Sequence, residues 1–168
     1  LKSKINKVYY SVHDVDTRTK GKAKKILKLN KINVKSGILK KNVKNFYKNY
    51  YFVKKKKLPY IIGKIACSSN YCILKNNASI TNQHSRNISH LLRYQNQAIL
   101  TSYKTINNDN PKLTCRLNGL EKYSPTRIII DKDLKINIKS YVLSNSKKIN
   151  TFIFYNSKNS KKVKYLKN

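Results

Sequence analysis

Short strand-like runs recur along this chain with helix-spaced segments between them, and that alternation restricts the fold more than any other feature of the sequence. Lys7-Val-Tyr-Tyr-Ser-Val12 alternates as a strand does, and Asp14 to Gly21 is polar and loop-like. Ala23, Ile26 and Leu27 then take the three- and four-residue spacing of a single helical face. Ile32-Asn-Val34 resumes strand character and Gly37 closes it, so residues 5–39 have the strand, loop, helix, strand order of a parallel crossover unit.

A second series opens at Tyr60-Ile-Ile-Gly-Lys-Ile-Ala-Cys-Ser68, a candidate buried strand. Thr81 is placed to cap a helix through His84, Ile88, Leu91, Leu92 and Gln95. Further strands are predicted near residues 97–102, at Arg127–Asp131, at Tyr141–Leu143 and at Thr151–Tyr155. Strands alternating with helices predict an α/β fold with a largely parallel sheet. Between the two series, residues 43–52 read as a short amphipathic helix and Lys54–Lys57 as a solvated linker at a natural boundary. Tyr47, Tyr50, Tyr51 and Phe52 could also stack on nucleic acid, but they bunch on one side of the lysines, which favours the helix.

A length of 168 residues with 39% hydrophobic content suits one ordinary domain, or pieces of two. The formal charge of +32, from 38 basic and 6 acidic residues, first suggests a polyanion partner. Two facts argue against a nucleic-acid partner: the charge spreads over the whole length, and the abundant Lys, Asn, Ile and Tyr share A- and T-rich codons. Leu1 stands where a start methionine would be and no Met occurs anywhere, so a longer gene product is expected. No apolar run approaches the roughly 20 residues that span a bilayer, and the expected location is the cytoplasm, away from membranes. Cys67, Cys72 and Cys115 lack Cys-x-x-Cys spacing and are expected to be buried or half-buried thiols. His84 and His90, six apart, would not share a helical face as an i, i+4 metal pair does, so no metal is expected.

The scarce residue types gather in Thr105-Ile-Asn-Asn-Asp109-Asn-Pro111-Lys-Leu113-Thr-Cys-Arg116, which follows the apolar run Ala98-Ile-Leu. That layout predicts a ligand-contacting loop at the end of a buried strand. In open α/β sheets ligands bind beyond the carboxyl ends of strands, so the loops after Ser68, Ser102 and Asp131 are expected to line one cleft. Arg93 and Arg116, two of five arginines, could each grip a phosphate or carboxylate in bidentate fashion. Lys64, flanked by Ile62-Gly63 and Ile65-Ala66, must pair with an acid or point into a polar cleft. Asp109 could accept from a ribose or a lysine, or form the turn before Asn-Pro. No nucleophile elbow, phosphate loop or Cys-His pair occurs, and these residues alone lead to an anion-binding α/β protein.

The order of several pieces carries a resemblance. Pro59-Tyr-Ile-Ile-Gly-Lys64-Ile-Ala66-Cys-Ser68, Ile80-Thr81, Leu91-Leu-Arg93 through Leu100, Thr105 through Arg116, and Arg127-Ile-Ile-Ile-Asp131 together resemble the reductase domain of the RibD family, the bifunctional riboflavin biosynthesis deaminase-reductases. Residues 1 to about 50 resemble the last crossover of the deaminase domain that precedes it, with Gly21, Ile32 and Gly37 at fitting places. The resemblance implies a partial dihydrofolate-reductase-like domain at residues 53–168, preceded at residues 1–52 by the last strand-helix-strand of a cytidine-deaminase-like domain and a linker.

It further implies NADPH-dependent reduction of 5-amino-6-(5-phosphoribosylamino)uracil to its ribitylamino form. Lys64 would be the catalytic position near the ribose. Ala66, Thr105 and Asp109 would contact the cofactor, and Arg93, Leu113 and Arg116 the phosphoribosylamino-pyrimidine substrate. The resemblance also allows a homo-oligomer. Asn70-Tyr71 and Asn77-Ala78-Ser79 depart from the Asp-Gly and Ser-x-Trp of the family. The deaminase motif His-x-Glu with Pro-Cys-x-x-Cys does not occur, so zinc is expected only in deaminase sequence outside these residues. The rival readings are a basic nucleic-acid- or ribosome-binding protein and a non-catalytic paralogue.

Overall fold

The computed structural model describes residues 4–73, 80–156 and 160–167, which gather into two compact units, Leu1–Ile65 and Ala66–Asn168. The first unit begins with strand β1 (Lys7–Tyr10), helix α1 (Lys22–Leu29) and strand β2 (Asn33–Ser36). The two strands pair in parallel with Val8 opposite Val34, so α1 is the crossover that the 5–39 pattern predicts. Gly21, at φ 71°, supplies the left-handed residue from which α1 departs. Helices α2 (Lys40–Phe46) and α3 (Lys48–Lys56) follow.

Two of the six acids organise the loop before α1. The Asp16 carboxylate accepts from Arg18 at 2.7 Å and from Lys54 Nζ at 2.8 Å, while the Tyr50 hydroxyl donates to Asp14 at 3.2 Å. The Arg18 guanidinium, then Lys54, hold the Asp16 carboxyl well below the usual carboxylate range. The expected lysine linker is therefore corrected. Lys54, Lys55 and Lys56 form the last turn of α3, where Lys is a good helix former and cations favour the helix dipole.

The second unit contains α4 (Gln83–Gln95), β3 (Ala98–Ser102), α5 (Tyr103–Asp109), a 3-10 turn at Glu121–Tyr123, β4 (Thr126–Ile130), α6 (Tyr141–Ser144), β5 (Thr151–Phe154) and α7 (Ser160–Lys167). The sheet order is β3-β4-β5, and both pairings are parallel. β-Branched residues dominate β4, the central strand, because they suit a pleated, half-buried surface flanked by a strand on each side. One sheet face presents Ile129 to a core of Ile106, Leu113, Ile136 and Val142, with Ile99, Tyr103, Leu143 and Ile153 packed around it. On the other face Leu100, Phe152 and Phe154 are exposed at 65%, 57% and 60%.

Arg127 is fully buried beside Ile129 on the core side. Its Nη2 donates to the carbonyls of Asn145 and Ile149 at 3.1 and 3.0 Å, and its Nε and Nη1 make no hydrogen bond among the described residues. Burial lowers its pKa from the usual arginine value.

Three further sequence expectations change. Residues 60–67 form no strand: no partner strand pairs with them among the described residues, and Ile61 and Ile65 are 82% and 78% exposed. An apolar run becomes a strand only where a neighbour offers a ladder. Tyr141–Leu143 begins helix α6, because Ser140 provides an extended N-cap position and its carbonyl accepts from the Ser144 N–H at 3.1 Å. Thr105–Asp109, expected as loop, is the body of α5, which Asn110 ends in the left-handed conformation at φ 40°. Asn tolerates that region better than most side chains.

Two substitutions test this packing. Ile129→Ala should destabilise the second unit by about 3 kcal/mol, measured by urea unfolding, because it leaves a cavity in a fully buried position. Arg127→Met should cost less than about 1 kcal/mol in the same measurement, since it removes a buried charge whose acceptor carbonyls already receive other donors.

Candidate functional site

The carboxyl ends of β3 and β4 are stitched together by side-chain amides. Asn107 on α5 accepts from the Asn137 N–H at 2.8 Å and donates to the Lys135 carbonyl at 2.9 Å, while Asn110 accepts from the Tyr141 N–H at 2.8 Å. Asp131, 1% exposed at the end of β4, accepts from the N–H groups of Lys135 and Ile136 at 2.8 and 2.7 Å and so closes that loop on itself. The segments after Ser102 and Asp131 are thus brought together. The segment after Ser68 makes a local turn instead, with the Cys72 N–H donating to Ser68 Oγ at 3.1 Å.

After α5 the chain runs through residues 111–116 without regular secondary structure. Leu113 and Cys115 point inward at 7% and 1% exposure, and Arg116 outward. Leu113 takes φ 56°, a left-handed conformation that costs a branched residue about 1–2 kcal/mol and persists only where packing imposes it. On one side of this segment the Cys115 N–H donates to Ser124 Oγ at 3.1 Å. On the other lies α4. Arg93 Nη1 donates to the Thr114 carbonyl at 3.0 Å, and the Arg116 N–H donates to His90 Nδ1 at 3.1 Å.

These contacts set the rotation of α4. His90 is buried and Arg93 half-buried, while Ile88 and Leu91, expected on the packed face, are 46% and 39% exposed. The N-cap also differs from the expected Thr81: Asn82 caps the helix by accepting from the Ser85 N–H at 2.9 Å. Arg93 and Arg116 make no ion pair among the described residues. The pKa of Arg93 is lowered by burial first and then by the Arg116 charge. Two arginines from different elements are thus brought together at His90, an arrangement that suits an anion.

The other expected site residues lie as follows. Thr105, half-buried, and Asp109, exposed, stand four residues apart and share one face of α5. A hydroxyl and a carboxylate on one face suit the hydroxyl groups of a ribose, so this donor set fits the sugar portion of a nucleotide cofactor. Lys64 is exposed and belongs to the first unit, and Ala66, half-buried, opens the second. Residues 77–79 lie outside the described residues. Cys115 is buried and Cys67 half-buried as expected, whereas Cys72 is exposed in its turn. Among the described residues no group of three or more His, Cys, Asp or Glu side chains could hold a metal ion, and no helix is long and apolar enough to cross a membrane.

Sequence reasoning missed His90, Asn107, Asn110 and the buried Arg127. For His90 a signal existed, since it stands one turn before Arg93 on the helix. The asparagines carried none, because Asn is abundant throughout the chain.

Residues 72–168 match the family model described as the RibD C-terminal domain. The riboflavin biosynthesis protein RibD of Bacillus amyloliquefaciens is 31% identical over 147 residues, which are 86% of this chain and 39% of that protein. Its counterpart in Aquifex aeolicus is 28% identical over 167 residues, 98% of this chain and 46% of that protein. The chain therefore spans less than half the length of these relatives. A crystal structure from Thermotoga maritima, described as a diaminohydroxyphosphoribosylaminopyrimidine deaminase/5-amino-6-(5-phosphoribosylamino)uracil reductase, superposes with a TM-score of 0.78 at 24% identity over 94% of this chain and 45% of that one. Acinetobacter baumannii RibD gives 0.78 at 22% identity over 98% of this chain and 47% of that one. The fold is that of these structures, α/β with parallel sheets and consistent with the dihydrofolate-reductase-like class. By the match over residues 72–168, this chain belongs to the RibD C-terminal domain family.

Proposed function

We propose that this chain carries part of an NADPH-dependent reductase of riboflavin biosynthesis that converts 5-amino-6-(5-phosphoribosylamino)uracil to its ribitylamino form. The observation that carries the reading is the pair Arg93 and Arg116, drawn from α4 and the segment after α5 and left without a carboxylate partner among the described residues. A ribose phosphate supplies the missing negative charge, and arginine forks match its oxygens. Leu113, strained and buried between them in sequence, fixes the backbone that presents Arg116.

Thr105 and Asp109 hold the cofactor ribose from α5, with Ala66 contributing a small side chain, and Lys64 serves the substrate ribose. NADPH, when bound, supplies the hydride, and the protein binds and orients its two ligands. The activity belongs to the cytoplasm, and residues 1–52 form the end of a deaminase-like domain ahead of the reductase portion at 53–168.

In the intact gene product, oxidation of NADPH should depend on the phosphoribosylamino substrate. Arg116→Ala should raise the KM for that substrate tenfold or more, as loss of a charge-assisted phosphate contact does, while the KM for NADPH moves less than about twofold. Equal effects on the two constants would remove Arg116 from the phosphate site. Tight RNA binding with a steep salt dependence and no NADPH oxidation would support the rival basic binding protein.

A further inference from the structure

We propose that His90 is a positioning residue for the arginine pair: its neutral imidazole holds the backbone of Arg116 so that both guanidinium groups face one anion. The inference rests on the reading of Arg93 and Arg116 as an anion site. It assigns a role to a side chain that neither the sequence motifs nor that reading used.

The ring is 9% exposed in the last turns of α4. Its Nδ1 lies 3.1 Å from the Arg116 backbone nitrogen and 3.4 Å from Arg93 Nη1. Both are donors that carry their hydrogens at every accessible pH, so Nδ1 must present a lone pair and the ring proton must sit on Nε2. A protonated ring would turn Nδ1 into a donor pointing at another N–H. The same group therefore sets the tautomer and anchors the segment.

The charged groups facing His90 act in the same direction. From its own helix comes Arg93 and from the facing segment Arg116, both cationic; the Thr114 carbonyl is the contact that favours a ring proton. Burial first, then Arg93 and Arg116, lower the pKa of the ring from 6.5. A folded value below the unfolded one means that the unfolded chain binds the proton more readily. The anchor is thus intact above pH 6.5 and is lost as pH falls through the lowered folded value. Protonation would place a third cation beside the pair and release the backbone that presents Arg116.

The test uses the whole chain with ribose 5-phosphate as the probe, in titration calorimetry from pH 5 to 8, on wild type, Arg116→Ala, His90→Leu and His90→Gln. His90→Leu removes the acceptor and should weaken binding about tenfold at pH 7.5, the scale of one hydrogen bond to a buried backbone group. His90→Gln restores an acceptor that does not titrate. It should recover most of that loss and remove the part of the acid-side weakening that belongs to the protein, the titration of the phosphate itself being common to both chains. Should His90→Leu fail to fold, the glutamine variant and the nitrogen-15 shifts of the wild-type ring still decide the matter, an unprotonated Nδ1 at pH 7.5 being the expected result.

An Nδ1–H tautomer, undiminished binding in His90→Leu, or an unchanged acid limb in His90→Gln would overturn the proposal. If wild type and Arg116→Ala both ignore the probe, the anion-site reading itself fails and the positioning role falls with it. Loss in Arg116→Ala with no loss in His90→Leu defeats the positioning role alone.

Discussion

Parallel pairing on both sides of β4 is the constraint from which the rest of the second unit follows. Two parallel strands cannot be joined by a tight turn, so each connection must leave a carboxyl end, cross a sheet face and return to the amino end of the next strand. Among the described residues α5 with the 111–116 segment makes the first of these returns and α6 the second, and Ile106, Leu113 and Val142 from them cover Ile129. Burial of the core and delivery of Arg116 to the neighbourhood of α4 are therefore one event. The same path that hides Leu113 and Cys115 turns Arg116 outward.

Charge alone does little here. With 38 basic residues, a positive field surrounds the molecule without marking any place on it. What distinguishes Arg93 and Arg116 is that the Thr114 carbonyl holds the Arg93 guanidinium and His90 holds the Arg116 backbone. Lysines at the end of four-carbon stems lose more freedom in meeting an anion than forks already held in place. The informative contrast is between many cations that are merely present and two whose chain segments are tied to one another.

The strands at 7–10, 98–102, 126–130 and 151–154 were legible because local preference and tertiary demand agree there: β-branched and aromatic residues occur where a ladder awaits them. Residues 60–67 have the same local character, but strand formation depends on a neighbour that local character does not encode. Tyr141–Leu143 is apolar enough for a strand, and Ser140 tipped it to a helix through backbone geometry that a three-residue window does not contain. In α4 the periodicity was visible while the buried face was not, because a histidine and an arginine with specific partners displaced Ile88 and Leu91 from the interior. Arg93 and Arg116 were legible as rare residues. Their association through His90 was not, since hydrogen-bond partners 26 residues apart leave no periodic trace.

The sheet face that bears Leu100, Phe152 and Phe154 has a bearing on how the molecule behaves in solution. Exposed aromatic and aliphatic side chains on one face of a parallel sheet attract one another at contact, whereas a charge of +32 repels at longer range. Added salt shortens the repulsion to about 10 Å at 0.1 M and leaves the contact attraction almost untouched. Colloidal stability is thus a balance of two ranges. The lysines spread along the chain supply the long-range side of that balance.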